Sequence, residues 1–378
     1  VSRGYDVVLL GASGFTGALT AEYLLKNAPA DLRWAVAGRN KQKLGAFGKD
    51  VLHADVTDAA SMRELAESTK VVATTVGPYI QYGEPLVAAC AAAGTGYLDL
   101  TGEPEFVDRM YVRYHERAVE TGARIVHACG FDSIPYDLGV QFTVEQLPEN
   151  VPIHVDGLLR AGGRPSGGTF HTAITAFSRP RQNLEAHRSR RAAEHPPKGR
   201  KARAVAGGIH RQQGFWAVPL PTIDPQIVGY SGRLLDSYGP DFRYSHYAAF
   251  NQLPMAMGGI AAVALLAGAA QIPPARNALL KRLQPGDGPS AEQRARSWFN
   301  ARFVGRGGGK QVITEVAGGD PGYDETAKML GESALCLALD DLPATAGQTT
   351  TAAALGPALR NRLVRAGMTF ATLEVDSY

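Results

Sequence analysis

Three glycines in Gly11-Ala12-Ser13-Gly14-Phe15-Thr16-Gly17 follow an apolar run at residues 7–10 and precede a helical pattern from residue 15 to 27. In that setting each has a task. Gly11 permits the tight turn out of the strand, Gly14 lets the backbone come within reach of a diphosphate, and Gly17 lets the helix pack close to the sheet. The unpaired amides of the helix N-terminus then face the phosphates, with the hydroxyls of Ser13 and Thr16 as added donors and Phe15 within the same contact set. A dinucleotide site is predicted. The end of the second strand selects the nucleotide. Where a carboxylate would bind the ribose 2′-hydroxyl of NAD, the chain reads Ala37-Gly38-Arg39-Asn40, with Lys41 and Lys43 behind. Cations there suit the 2′-phosphate of NADP, so NADPH is the expected cofactor, held by Arg39, Asn40 and Lys43. Asp55, after the third strand, either accepts from the adenine amino group or caps the next turn.

Ligands of open α/β sheets lie beyond the carboxyl ends of the strands. Three further strand ends carry unusual residues: Thr75-Val76-Gly77-Pro78-Tyr79, Asp99-Leu100-Thr101-Gly102-Glu103, and Gly130-Phe131-Asp132-Ser133-Ile134-Pro135-Tyr136-Asp137. Val76, Gly77 and Pro78 are expected beside the nicotinamide ribose, and Phe131 over the nicotinamide ring. Asp132 and Ser133 are expected to hold the carboxamide or line the pocket. Hydride transfer requires orientation and a donor for the charge that develops on the substrate. Tyr79, Asp132 and Tyr136 are the candidates for that donor. Each has a structural alternative: packed tyrosines, and an aspartate capping the helix from Pro135. Glu103 is expected to cap the helix opened by Pro104. There is no Tyr-x-x-x-Lys pair, and the scattered histidines and three cysteines give neither a Ser-His-Asp nor a zinc-ligand pattern, so no metal is expected.

Short apolar strands alternate with helices over the first third, at residues 7–10, 33–37, 51–54, 71–76, 97–100 and 124–128. That rhythm predicts a parallel sheet covered on both faces, a Rossmann-type doubly wound domain over residues 1–135. A chain of 378 residues exceeds one ordinary core. Two strands flank a glycine-rich hairpin loop at 305–310, and with helices nearby they predict a second, α+β substrate and dimerisation domain over 136–350. The segment 351–378, a helix and a strand, is expected to return to the first domain.

The net charge of +3 argues against a nucleic-acid partner. The start of the chain reads as a strand rather than a leader, and the few cysteines fit a reducing compartment, so a cytoplasmic location is expected. Residues 179–203 hold nine Lys/Arg against two Glu, a net of +7. This is either a solvated loop or a dock for an acidic acyl carrier protein or an anionic membrane surface. Residues 255–272 carry no charge, and ten of the 18 are Ala or Gly. A helix buried in the chain or covered by a partner, such as a second copy in a homodimer, is expected, with a peripheral membrane helix as the alternative.

Taken together, the quoted motifs, with Tyr82-Gly83-Glu84-Pro85 and Gly318-Gly319-Asp320-Pro321-Gly322-Tyr323, resemble the saccharopine dehydrogenase-like oxidoreductases, specifically the trans-acting enoyl reductase branch. The resemblance covers nearly the whole chain. It implies an NADPH-dependent reductase that acts in trans on a carbon–carbon double bond of a polyketide or fatty-acyl substrate. Two other readings stay open: an imine or carbonyl reductase of amino-acid-like substrates, which needs pocket cations for carboxylates, and an NADPH-binding scaffold without turnover.

Overall fold

The structure, a computed structural model, describes residues 3–163, 167–195, 197–282 and 288–377. The first half runs β1 Tyr5–Leu10, α1 Phe15–Asn27, β2 Trp34–Gly38, α2 Lys41–Gly45, β3 Asp50–His53, α3 Ala59–Ser68, β4 Thr69–Thr74, α4 Tyr79–Tyr82, α5 Glu84–Ala93, β5 Gly96–Asp99, α6 Pro104–Thr121, β6 Arg124–Val126 and α7 Ile134–Val144. There follow β7 Ile153–Gly162, α8 Gly167–Ser178, α9 Pro180–Ala193, β8 Lys201–Ala204, β9 His210–Gln212, β10 Phe215–Pro219, α10 Asp224–Leu234, β11 Asp241–Phe250, α11 Leu253–Ala270, α12 Pro273–Arg282 and α13 Ala291–Ala295. The chain closes with β12 Trp298–Gly307, β13 Lys310–Gly318, α14 Asp324–Leu339, β14 Gly347–Thr349, α15 Thr351–Ala354, α16 Gly356–Arg365 and β15 Thr369–Ser377.

Among the described residues the first sheet has seven parallel strands in the order β14-β6-β5-β4-β1-β2-β3, a doubly wound Rossmann sheet with one strand added at its edge. Its central strands β1, β2 and β4 are mostly apolar because both faces are covered. In β1, Val7 and Leu9 join one core with Leu24 of α1 and Leu330 of α14, while Val8 and Leu10 join another with Met62 of α3, Val87 of α5 and Met110 of α6. The reversal of strand order between β1 and β4 opens the crevice in which such sheets bind ligands.

The second sheet is mixed, in the order β15-β13-β12-β7-β11-β10-β9, with β8 also paired to β11. α7 packs on it so closely that a Cβ at Gly139 would lie 2.4 Å from the Phe303 ring. The β12–β13 hairpin is tighter than its sequence suggests. The strands run through Gly307 and from Lys310, leaving Gly308 and Gly309, both with positive φ, as the turn that matches strand twist.

Three features differ from expectation. β14 and α14, inside the stretch assigned to the second domain, serve the first sheet, whereas β15 pairs with β13 in the second. A three-residue strand has no periodicity to read, and its pairing with β6 spans more than 200 residues. The basic segment 179–203 is largely the helix α9 packed on α6, not a loop, and several of its cations are spent on it. Arg179 pairs with Glu105, and Arg190 is buried against Asp108. Finally, α11 is not buried in the chain: Ala256 and Ala270 alone are buried among its 18 residues.

Candidate functional site

The glycine loop occupies the turn between β1 and α1. Gly11 has φ +97°, and a Cβ there would lie 2.8 Å from a Val76 methyl. A Cβ on Gly17 would lie 2.2 Å from the Gly11 carbonyl oxygen, so helix and strand approach at a distance no other residue permits. Gly14 stands at the N-cap of α1 with no side chain capping it, and Ser13 and Gly14 are exposed. The first amides of a 13-residue helix therefore face the crevice unfilled by the protein itself, which fits a diphosphate. Phe15 contributes its backbone there, but its ring turns to the second half of the chain, edge-on to Tyr323 at 4.9 Å and under the Arg294 guanidinium at 5.5 Å. The Gly318–Tyr323 motif thus folds beside the nucleotide loop, its Asp320 accepting from the Tyr323 amide at 2.8 Å.

Arg39 is exposed just past β2. Asn40 caps α2, its side chain accepting from the Lys43 amide at 3.0 Å, and the exposed side chains of Arg39, Lys41 and Lys43 are the cations at this strand end. Asp55 performs its capping alternative: one carboxylate oxygen accepts from the amide and hydroxyl of Thr57 at 2.9 and 2.8 Å. Those bonds, with the charges of Arg39 and His53, hold its carboxyl below the usual range. Replacing Arg39 with alanine is expected to weaken NADPH about 10- to 100-fold and NADH hardly at all, since one charge-assisted phosphate contact is worth about 1.5–3 kcal/mol. Equal losses in parallel titrations would refute this.

Beyond β4 the Gly77–Pro78 peptide is cis, and Val76 and Pro78 are partly exposed toward the crevice. Tyr79 is differently employed from the expectation. Its ring is buried, its hydroxyl donates to the Thr74 carbonyl and accepts from the Leu100 amide, both at 3.1 Å, and burial pushes it well above the usual phenol range. The hydroxyl ties β4 to the loop after β5 and is not offered to a substrate. Glu103 helps from the other side. Instead of capping α6 it accepts from the Tyr79 and Ile80 amides at 2.9 and 2.8 Å. Tyr79→Phe is expected to lower stability by about 1–3 kcal/mol, by stranding a buried amide and carbonyl, while kcat changes less than about threefold. A large drop in kcat at unchanged stability would return Tyr79 to catalysis.

Asp132 lies beyond β6. A Cβ on Gly102 would sit 3.0 Å from its Oδ2 and 3.3 Å from the Thr172 methyl of α8, so the β5 loop, Asp132 and α8 converge. The carboxyl has no hydrogen bond or ion pair among the described residues, and burial pushes it up to about 6. Phe131 donates its amide to Thr326 and sets its ring edge-on to Tyr136 and Phe299. The Ser133 hydroxyl, at the start of α7, is buried with no partner among the described residues. The buried Tyr136 hydroxyl likewise has none among them, and it is raised by burial and by the charges of Asp224 and Asp132.

Two residues of this cluster have no signal in the sequence. His246 of β11 stacks edge-on to Tyr136 at 4.7 Å, and Asp224, at the start of α10, lies 3.6 Å from its Nε2. Burial lowers His246 to about 3, so the ring is neutral at physiological pH, its Nδ1 bonded to the Tyr244 hydroxyl at 2.8 Å. An isolated Asp and His in unremarkable strings become neighbours only when the second sheet forms. Among the described residues no group of three or more His, Cys, Asp or Glu has the arrangement of a metal site.

The saccharopine dehydrogenase NADP binding domain family matches residues 7–126, the stretch that carries the glycine loop and Arg39. A trans-acting enoyl reductase of Mycobacterium ulcerans is 36% identical over 413 residues, covering 97% of each chain. The chain belongs to the saccharopine dehydrogenase-like oxidoreductases. It is an NADP-binding oxidoreductase of that family, and another relative, a trans-acting enoyl reductase of Mycobacterium tuberculosis, is 35% identical over 419 residues and 99% of each chain. Among solved structures, apo saccharopine dehydrogenase (L-Glu forming) from Saccharomyces cerevisiae aligns over 99% of this chain and all of that one, with a TM-score of 0.55 at 12% identity, a likeness of fold. The family's glycine loop, Arg39 and crevice fit NADPH on the geometry above.

Proposed function

We propose that this oxidoreductase reduces the carbon–carbon double bond of an α,β-unsaturated acyl thioester of polyketide or fatty-acyl type, presented by a separate carrier. The observation that carries the reading is the setting of Asp132: a carboxyl with no partner among the described residues, at the carboxyl edge of the sheet beside Gly102 and Thr172, next to Phe131, whose ring meets Tyr136 and Phe299. Neutral and aromatic side chains suit an acyl chain, whereas an amino-acid substrate would call for a guanidinium or ammonium beside its carboxylate. NADPH, when bound, supplies the hydride to the β-carbon. Asp132, protonated below about pH 6, gives its proton to the α-carbon and is reprotonated from solvent. Tyr136 stands behind it as a hydrogen-bond donor, and Phe131 and Phe299 exclude water from the carbanionic centre.

The carrier's dock in this reading is α9. Arg181, Leu184, Arg188 and Arg191 share one exposed face, with Leu184 at 48% exposure, a basic stripe around an apolar residue. Arg190 is excluded from that face by its ion pair with Asp108. Reversing the charges of Arg181, Arg188 and Arg191 is expected to raise KM for a carrier-bound enoyl thioester about tenfold and leave the pantetheine thioester unaffected. The function itself is tested by NADPH consumption. Turnover is expected with enoyl thioesters and not with α-imino acids, and the reverse preference would overturn the proposal.

A further inference from the structure

The helix α11 is apolar for 18 residues, with a mean hydropathy of 1.9, yet it lies on the outside of the molecule. Met257, Gly258, Ala261, Ala264, Leu265 and Gly268 are exposed and sweep about a third of its circumference; Leu265 reaches 74% exposure. Surface helices of globular proteins turn polar residues outward, and this one turns none. Both of its ends are tied to the same domain. β11 leads into it, Gln271 donates to the Phe177 carbonyl at the end of α8, and α12 returns to α8, where His171 meets the Leu280 carbonyl at 3.0 Å. Although long enough to cross a bilayer, it is therefore held flat against α8 and cannot span one. From residue 253 to 282 there is no acidic residue, and the cations Arg276, Lys281 and Arg282 all fall on α12.

We infer that the α11–α12 hairpin docks on an anionic lipid surface, with α11 sunk among the acyl chains and the cations of α12 at the headgroups. A second copy of the chain fits these observations less well. A helix about 27 Å long and about 10 Å across offers on the order of 300–400 Å² to a flat partner, about half the ~800 Å² per partner of a stable interface. Such an interface also has no use for a stretch free of acids beside cations, whereas anionic headgroups do. α8 gives the dock a functional sense: its Thr172 faces Asp132, and the helix also carries α11. A lipid-bound enzyme would thus hold the outer wall of its crevice at the bilayer. That last step rests on the acyl substrate proposed above, while the docking itself does not.

The test is flotation of the full chain with vesicles of phosphatidylcholine plus phosphatidylglycerol, against phosphatidylcholine alone, with no substrate present. Binding is expected to favour the anionic vesicles and to weaken with salt. Met257→Glu with Leu265→Glu is expected to lower it at least tenfold, and Arg276→Gln with Lys281→Gln about tenfold on anionic vesicles only. NADPH titration of each variant should match the parent, showing that the fold is intact. Absence of flotation, or flotation indifferent to Met257→Glu with Leu265→Glu, would overturn the inference. So would a dimer in sedimentation equilibrium that this double change splits while vesicles bind nothing, which would assign α11 to self-association. Because no turnover is read, failure here and failure of the enoyl reductase reading are separate results.

Discussion

Asp132→Asn is expected to lower kcat for enoyl thioester reduction by about 10²- to 10⁴-fold while NADPH affinity stays within a factor of two or so. In the proposed step the carboxyl is the acid, and the amide of the variant cannot release a proton. The pH profile separates this role from simple packing. With a carboxyl held at about 6, kcat/KM should be flat on the acid side and fall tenfold per pH unit above it, and the asparagine variant should lose that limb. Stability should also fall as pH rises. The folded-state value lies above the ordinary 3.8, so Asp132 favours folding when protonated, and that contribution disappears as pH rises through about 6. Above that pH the ionised carboxylate costs the fold on the order of 3 kcal/mol, and Asp132→Asn should regain it in urea titrations. A variant that is less stable at alkaline pH yet turns over normally would remove Asp132 from the mechanism.

The second large effect belongs to Gly17. Gly17→Ala is expected to destabilise the protein by about 3 kcal/mol and to weaken NADPH more than 100-fold. The added methyl would meet the Gly11 carbonyl oxygen at 2.2 Å and the half-buried Thr75 hydroxyl at 2.7 Å, in the turn that opens α1. Relief requires α1 to move off the sheet, carrying its N-terminal amides away from the ligand. Gly45→Ala is the control: nothing lies within 4 Å of a Cβ there, and the change should be neutral or slightly stabilising. Normal unfolding and normal NADPH titration of Gly17→Ala would show that the loop is not the nucleotide cradle.

How much of this was readable beforehand depended on distance along the chain. The glycine loop, Arg39 and strands β1 to β6 of the first sheet are each local, and the central ones are apolar because both faces are covered, so composition and punctuation sufficed. Asp132 was readable as chemistry, since a strand end is a predictable place. Its surroundings were not: Thr172 comes up to Asp132 from 40 residues away, Phe299 meets the adjoining Phe131, and His246, with Asp224 beside it, meets Tyr136, all from elements farther along the chain. Tyr79 shows the reverse case. Its position after β4 suggested a donor to substrate, but whether a phenol faces a crevice or a backbone carbonyl is settled by packing against Leu100 and Phe106.

By itself, then, the order of residues determined an NADP-binding doubly wound domain, because contiguous motifs specify contiguous backbone and the phosphate contacts are made by that backbone. Only the tertiary structure decided that Asp132 stands beside Thr172 with no partner among the described residues, that the basic segment spends part of its charge on α6, that β14 completes the first sheet, and that α11 remains uncovered. Those outcomes turn on which surfaces meet after hundreds of residues intervene, and desolvation, the force that raises Asp132 and leaves α11 seeking a partner, acts on surfaces rather than on strings.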